Sequence, residues 1–250
     1  MQCAVACDAG AGGSSVIWRL ARLLNPMNIH RFEDDGFAIV ADVLDETACA
    51  SISASLGQAI SECTGARSML EIPWCQALAR TIRLHPLIGA ALPEHAVAVQ
   101  CTYFEKSRDQ NWLVPIHQDL SIPVREKIDH PALSGWSEKD GAIFVQPPET
   151  VLQELVAVRL HIDECGSDDG PLKVVPGSHK AGRLGALAAL NARDNLGEAM
   201  CTVGKGGVLI LRPLLLHASS KANGSSRRRV LHFVFGPGML PYGLRWKDAV

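Results

Sequence analysis

The sequence predicts a mainly β protein, an antiparallel jelly-roll barrel with α-helices packed against its outside. Helical patterns come first along the chain. From residue 96, six to eight short strands joined by Gly, Pro, Asp and Asn turns follow them. The chain also lacks the strand–helix repeats and glycine-rich phosphate loops that are typical of nucleotide-binding folds. At 250 residues, 47% of them apolar, it can bury a substantial core.

The N-terminal segment differs in composition from the rest of the chain. It is rich in small residues, and a short helix is predicted at 16–24. We expect residues 1–26 to be a disordered or loosely ordered extension and residues 27–250 to be a single domain, which makes Met27 an alternative start. The segment has neither the basic region nor the sustained apolar run of a signal peptide, so a cytoplasmic location is expected.

A strand and two helices precede the barrel strands. Residues 37–43 read as a strand after a glycine turn. Asp45 has a side chain suited to capping a helix at 46–62. A second helix is predicted at 73–84, because proline is favoured at a first helical position and another proline follows the segment, and a helical turn is predicted at 86–92.

From residue 96 the apolar period changes to the alternation of a strand. Residues 125–153, rich in turn residues and acids with a little helix at 148–154, are interpreted as an insertion that shapes the entrance of a pocket. Strands are predicted at 96–105, 112–122, 155–163, 171–177, 201–203, 206–218 and 228–236, with a helical excursion at 180–195.

The triplet His117-Gln118-Asp119 is the pattern that indicates a chemistry. Alternate residues of a strand share a face, so His117 and Asp119 project together and Gln118 points away. Two imidazoles and one carboxylate on one face of an iron leave its other face open, as in non-haem Fe(II) oxygenases. One triplet is weak support, since residues 161–163 form a second, explained by a strand that ends in a turn.

The distal part of the chain favours the first triplet. The apolar run GGVLILRPLLLH leads, as one strand, into His217, which lies 98 residues after Asp119. After a short turn segment the run RRRVLHFVF returns. We expect these two runs to pair as an antiparallel hairpin, which would place the three arginines beside His217.

One of the three arginines is predicted to face the barrel interior. Strand alternation turns Arg228 inward together with His232, and turns Arg229 outward. An inward arginine needs an anionic partner, and a dicarboxylate co-substrate supplies one. Ser219 is placed to donate a hydrogen bond to the same carboxylate. The alternative is that all three arginines are solvated at the start of a strand.

Four stretches of the chain resemble the phytanoyl-CoA dioxygenase family of iron- and 2-oxoglutarate-dependent oxygenases, over roughly residues 30–237. They are FEDDGFAIVADVL, NWLVPIHQDLS, DDGPLKVVPGSH, and HASS followed by an arginine 11 residues after its histidine. The resemblance implies a double-stranded β-helix, the cupin-like form of the jelly roll. It also implies that His117, Asp119 and His217 bind Fe(II), and that O2 and 2-oxoglutarate are used.

The same resemblance implies how the co-substrate binds. The ketoacid end of 2-oxoglutarate would chelate the iron, and its far carboxylate would bind Arg228 and Ser219. Lys106 matches a position where the family often carries a basic residue that contacts the cofactor, and a solvated lysine is the alternative reading.

Other polar residues have less specific interpretations. Arg159 and His161 share a face of their strand, and would contact co-substrate or product if that face is the barrel interior. His179 is interpreted as a loop residue, and His232 as a core histidine that lines the pocket only as an alternative. Four further residues are candidates for the pocket mouth: Arg67, Gln100, Trp112 and Gln118.

The predicted function is a dioxygenase that hydroxylates a small molecule and releases succinate and CO2. Asp119 argues against halogenation, because related halogenases replace this carboxylate with a small residue so that chloride can bind iron. One alternative is a cupin-like metalloenzyme without 2-oxoglutarate, in which succinate formation would be absent. The other is a non-catalytic barrel that binds a small molecule or partner, but such proteins usually lose a ligand.

Charge and cysteine content limit the partners. The net charge is -2, with 24 basic and 26 acidic residues and no block of either sign, so no nucleic-acid partner is expected. No apolar stretch reaches the roughly 18 residues of a membrane span. The eight cysteines form no CxxC pair, and most of them are expected to be reduced thiols, with one structural disulfide as the alternative. A monomer or homodimer is expected.

Overall fold

The structure, a computed structural model, describes residues 26–59, 65–108, 110–223 and 227–250. The helix predicted at 16–24 lies outside these residues. The helices are α1 (Pro26–Asp35), α2 (Glu46–Ala59), α3 (Pro73–Leu84), α4 (Pro86–Gly89), α5 (Glu149–Gln153) and α6 (Ala186–Leu196), with short 3-10 helices at Met69–Glu71 and Ser178–Ala181.

Thirteen strands follow one another along the described part of the chain. They are β1 (Phe37–Val40), β2 (Gly65–Ala66), β3 (Val97–Lys106), β4 (Val114–His117), β5 (Ile122–Val124), β6 (Ser134–Lys139), β7 (Ala142–Gln146), β8 (Val156–His161), β9 (Leu172–Val174), β10 (Ala199–Cys201), β11 (Val208–Leu211), β12 (His217–Ser219) and β13 (Arg228–Gly236).

The strands form two antiparallel sheets that face each other and one small additional sheet. The larger sheet has the order β1-β11-β8-β13-β3-β2, and the sheet opposite has the order β10-β9-β12-β4. Contacts join their inner faces, such as that from Lys106 Nζ to Ser219 Oγ at 2.9 Å. This arrangement is a double-stranded β-helix, so the predicted fold class is confirmed. Strands β5, β7 and β6 make the third sheet.

Helices α2 and α3 pack against the outer face of the larger sheet. Strand β13 alternates, so that Leu231, Phe233 and Phe235 point away from the barrel interior and are fully buried among apolar residues of α2 and α3. Burial of each such side chain contributes about 1.5–3 kcal/mol to the stability of the folded state. This layer keeps the larger sheet rigid behind the pocket, because its outer face is closely packed.

The early elements agree with the sequence analysis. Helix α3 has the predicted bounds, and α2 begins where expected, with the backbone N–H of Ala48 donating to Asp45 Oδ1 at 2.8 Å. The predicted end of α2 falls on residues outside the described ones. Strand β1 is shorter than the predicted 37–43, because Asp42 has a positive φ of 53° and turns the chain.

The apolar run at 206–218 is two strands, and the prediction of one continuous strand was wrong. Strand β11 belongs to the larger sheet and β12 to the opposite one. Between them lies Pro213, which has no N–H to donate to a ladder, and the N–H of Leu215 donates to Arg212 O at 2.9 Å in a turn. The predicted hairpin is therefore also wrong, since β12 pairs with β4 and β9, and β13 pairs with β3 and β8.

Residues 125–153 contain more regular structure than the sequence analysis predicted. The short helix is present as α5, but β6 and β7 form a hairpin across a two-residue turn, Asp140-Gly141, in which both φ angles are positive (50° and 73°). An Asp-Gly pair between two extended runs is a recognised hairpin signal that the sequence analysis missed. The hairpin lies at the entrance of the pocket.

The described helices and cysteines bear on two expectations from the sequence, the lack of a membrane span and the reduced state of the thiols. No helix among them is both long enough and apolar enough to cross a membrane. Their five cysteines are buried free thiols: Cys49, Cys75, Cys101, Cys165 and Cys201.

Candidate active site

A cavity of about 430 Å³ opens between the two facing sheets. The larger sheet contributes inward residues of β3, β8 and β13, and the opposite sheet contributes residues of β4 and β12. The hairpin of β6 and β7 closes one side with Lys139, Phe144 and Gln146, which the sequence analysis did not identify.

His117, Asp119 and His217 come together in this cavity. His117 ends β4 and lies directly opposite His217, which begins β12. The Nε2 atoms of His117 and His217 lie 3.8 and 3.7 Å from the two carboxylate oxygens of Asp119. All three potential ligand atoms lie within 4.8 Å of one another, close enough for one metal ion.

The orientation of both imidazoles is set by the backbone. The Nδ1–H of His117 donates to Pro115 O and that of His217 donates to Leu215 O, both at 2.8 Å. Each ring therefore directs the lone pair of its Nε2 towards Asp119. Outer hydrogen bonds of this kind fix the tautomer that a metal ligand needs.

Gln118, between the two ligand candidates, anchors the triplet to neighbouring loops. Its Nε2 donates to Gly182 O at 2.8 Å and to Leu214 O at 2.6 Å. Its Oε1 accepts from the backbone N–H of Leu184 at 2.8 Å. Both N–H groups of the amide and one lone pair of its oxygen are thus used, which holds the backbone on both sides of the residue.

Asp119 is suited to carrying a negative charge in this setting. Burial opposes its ionisation, but His217, His232 and His117 outweigh that effect and hold the pKa of the carboxyl below its usual range. Burial lowers the pKa of His217, although Asp119 acts in the opposite direction. A neutral imidazole and an ionised carboxylate are the protonation states that bind a divalent metal.

Two cations and a hydroxyl lie at the other end of the cavity. Lys106 is buried, not solvated, and its Nζ donates to Ser219 Oγ at 2.9 Å and to Ser220 O at 2.7 Å. Arg228 lies opposite Lys106 across the ladder of β13 and β3, and its Nη1 donates to Gly170 O at 2.5 Å. Burial lowers the pKa of Lys106 to about 8, and the charges of Arg228 and Arg159 act in the same direction.

The three consecutive arginines have three different surroundings. Arg228 lines the cavity, whereas Arg227 pairs with Glu105 at 2.6 Å and Arg229 pairs with Asp163 at 2.7 Å. Arg228 is therefore the inward one. The second triplet is not a metal site, because Asp163 is engaged by Arg229.

Arg159 and His232 lie beside the metal-binding candidates. Arg159 Nη1 donates to His232 Nδ1 at 3.0 Å, and His232 Nε2 lies 4.0 Å from Asp119 Oδ2. Burial lowers the pKa of His232 to about 3, and the charge of Arg159 acts in the same direction. Both residues line the cavity, whereas His161 is buried behind it.

The remaining candidates divide between the mouth and the exterior. Arg67, Gln100 and Trp112 line the cavity, and Arg67 pairs with Asp140 of the hairpin turn at 2.7 Å. His179 lies outside the cavity, in the short 3-10 helix at Ser178–Ala181, and its ring Nε2 contacts Glu33 O at 3.2 Å.

Comparisons with known proteins agree with this geometry. Residues 32–230 match the family described as phytanoyl-CoA dioxygenase (PhyH). No curated protein matches the sequence.

Three similar solved structures share the fold at low sequence identity. EctD from S. alaskensis has a TM-score of 0.67 at 16% identity, over 90% of this chain and 86% of that one. The α-ketoglutarate-dependent carbocyclase SnoK has a TM-score of 0.64 at 15% identity, over 87% and 86%. HygX from Streptomyces hygroscopicus, with nickel, 2-oxoglutarate and hygromycin B bound, has a TM-score of 0.62 at 18% identity, over 91% and 98%.

The family match includes both parts of the metal-binding candidate and extends from the last turn of α1 into β13. The chain therefore belongs to the phytanoyl-CoA dioxygenase family.

Proposed function

We propose that this protein is an Fe(II)- and 2-oxoglutarate-dependent dioxygenase that hydroxylates a small molecule and releases succinate and CO2. The observation that carries the proposal is the pairing, in one cavity, of a two-histidine, one-carboxylate cluster with a buried Lys–Ser–Arg cluster. Membership of the phytanoyl-CoA dioxygenase family supports it.

His117, Asp119 and His217 fit an iron site of the facial type. Their donor atoms converge, and the backbone fixes both imidazoles with Nε2 towards the centre. Bound there, iron with 2-oxoglutarate and O2 would supply the oxidising chemistry, while the protein supplies binding and orientation. Asp119 supports oxygenation over halogenation, since its carboxylate occupies the place that a halide would need.

Lys106, Ser219 and Arg228 fit the far carboxylate of 2-oxoglutarate. A guanidinium, an ammonium and a hydroxyl together offer charge-assisted hydrogen bonds to one carboxylate. Their positive charge is buried without an acidic partner among the described residues, so an anion would relieve its cost. Two ends of one cavity thus suit the two ends of one co-substrate.

The remaining cavity walls fit an organic substrate of modest size. Leu120, Ile122, Phe144 and Val234 are apolar, and Gln100 and Gln146 offer directed hydrogen bonds near the mouth. The similar structure of HygX contains hygromycin B, a small molecule, which supports the same class of substrate here. Apolar walls also limit water at the reacting centre.

Anaerobic titration of Fe(II)-loaded protein with 2-oxoglutarate tests the proposal. Wild-type protein is expected to develop a visible charge-transfer band, and Arg228→Ala is expected to lose it. Arg227→Gln is the matched control, because Arg227 pairs with Glu105 at the surface and should leave the band unchanged. Absence of the band in the wild type, or an undiminished band in Arg228→Ala, would contradict the assignment.

Product analysis separates hydroxylation from other outcomes. SnoK is described as a carbocyclase, so this fold supports reactions besides hydroxylation in other proteins. Under O2, a hydroxylase would convert 2-oxoglutarate to succinate and add 16 mass units to its substrate, one oxygen atom. Loss of substrate without formation of succinate would instead indicate a metalloenzyme that does not use 2-oxoglutarate.

A further inference from the structure

Arg159 is a buried cation without an acidic partner among the described residues. Its side chain is only 8% exposed, its Nη1 donates to a neutral imidazole, and its Nε is buried with no hydrogen-bond partner. The guanidinium also lies 5.5 Å from the centre of the Phe104 ring. A buried charge is costly unless a counter-charge compensates it, so this environment favours an anionic ligand.

The only carboxylate among the described cavity-lining residues is Asp119. It is surrounded by His117, His217 and His232, and a bound divalent metal would use its charge. Asp119 acts against the loss of the Arg159 charge in the metal-free protein, but a bound metal would draw on the same carboxylate and leave Arg159 to another anion. The same cavity holds Lys106 and Arg228, so the described lining is strongly cationic before any ligand binds.

Arg159 lies at a different level of the cavity from Lys106 and Arg228. Arg159 lies opposite His232 across the ladder of β8 and β13, whereas Arg228 lies opposite Lys106. Four residues of β13 separate the two levels, which corresponds to about 13 Å along a strand. Arg159 thus lies level with the residue that approaches Asp119, at the metal-binding end.

Its hydrogen bond also determines what His232 can do. A guanidinium has only donors, so His232 Nδ1 accepts and the proton of the neutral ring is on Nε2. That Nε2 is the atom 4.0 Å from Asp119 Oδ2. His232 therefore presents a hydrogen-bond donor to the metal-binding end, not a lone pair, and is not a fourth ligand.

We propose that Arg159 and His232 form a second carboxylate receptor, which binds the metal-chelating carboxylate of the 2-oxoacid. The inference rests on the proposed function and deepens it. A 2-oxoacid with a carboxylate at each end matches a cavity with a cationic receptor at each end. Arg228 and Lys106 select the length of the co-substrate, and Arg159 holds its reacting end.

Calorimetric titration of Ni(II)-loaded protein with 2-oxoglutarate and with oxalate tests the two receptors separately. Oxalate can chelate a metal but is too short to reach Lys106 and Arg228 as well. Arg159→Gln is expected to weaken the binding of both ligands about tenfold or more, the equivalent of one charge-assisted hydrogen bond. Arg228→Gln is expected to weaken the binding of 2-oxoglutarate and to leave the binding of oxalate unchanged. Arg159→Lys should recover part of the loss.

Arg227→Gln is the control for the removal of a positive charge outside the cavity. The affinity of each variant for Ni(II) alone is measured first. Weaker metal binding in Arg159→Gln would assign the residue a structural role and overturn the receptor. Wild-type affinity for both ligands in Arg159→Gln, or a loss confined to 2-oxoglutarate, would also overturn it. Failure of the wild-type protein to bind 2-oxoglutarate would instead contradict the proposed function itself.

Discussion

Asp163 binds Arg229 through two parallel hydrogen bonds, from Nε to Oδ2 and from Nη2 to Oδ1, both at 2.7 Å. The backbone N–H of Arg229 donates to the same carboxylate at 3.0 Å. Arg228, one residue earlier, projects from the opposite face of β13 into the cavity. Two adjacent arginines thus have separate tasks, because one stabilises the fold and the other is available to a ligand.

Replacement of these two arginines should therefore have different effects. Arg229→Gln is expected to lower the free energy of unfolding by about 1–3 kcal/mol, because the half-buried carboxylate of Asp163 loses its charged partner. It should leave the affinity for 2-oxoglutarate unchanged, whereas Arg228→Gln should reduce that affinity. Urea denaturation and calorimetry measure the two quantities. If Arg229→Gln abolished binding and Arg228→Gln did not, the inward arginine would be misassigned.

Gln118 is expected to matter for stability and for metal binding together. Gln118→Ala leaves the carbonyls of Gly182 and Leu214 and the N–H of Leu184 without their side-chain partner. We expect a loss of about 2–3 kcal/mol in the free energy of unfolding and weaker Ni(II) binding by the flanking ligands. Gln153→Ala is the control, since that exposed amide bonds only Glu149. Unchanged metal affinity in Gln118→Ala would show that the anchor does not position the ligands.

The affinity for 2-oxoglutarate should fall as the pH rises above about 8. Burial lowers the pKa of Lys106 to about 8, so the free protein loses this charge above that pH. A bound carboxylate favours the charged form of Lys106. Above pH 8, binding of 2-oxoglutarate therefore requires Lys106 to take up a proton, and the affinity falls as the pH rises. Lys106→Met should bind less tightly and lack this dependence. Calorimetry across pH 7–9.5 measures how the affinity for 2-oxoglutarate depends on pH. The same pH dependence in Lys106→Met would exclude Lys106 as its cause.

The two HxD triplets should respond differently to loss of their carboxylates. Loss of a residue that only hydrogen-bonds a metal ligand typically lowers metal affinity about 10–100-fold. Asp119→Ala removes a proposed ligand itself, so we expect the Ni(II) affinity to fall at least that much. Asp163→Asn should destabilise the fold but retain the metal affinity, because Asp163 pairs with Arg229. Metal titrations at a temperature where both variants are folded make the comparison. Equal losses in the two variants would argue against the proposed metal site.

Much of the site could be predicted from local patterns. Strand alternation is a short-range rule, and it correctly turned Arg228 and His232 to the face that lines the cavity. The spacing within His117-Gln118-Asp119 likewise predicted two side chains on one face. These inferences succeeded because they depend only on the period of a strand.

The connections between sheets could not be predicted in the same way. An apolar run does not show that Pro213 divides it and sends β11 and β12 to opposite sheets. The conclusion that the distal histidine lies near Arg228 was reached through a hairpin that does not exist. The two residues instead line the same cavity from facing sheets, at different levels of it, and that arrangement depends on the closure of the whole fold.

The pairing of His117 with His217 across β4 and β12 makes the site depend on strand register. A slip of one residue in β4 would turn both His117 and Asp119 to the other face of the sheet. No intermediate arrangement would retain a weakened version of the cluster. Misassembled molecules in a preparation should therefore lower the fraction of protein that binds metal, while the molecules that do bind keep the full affinity.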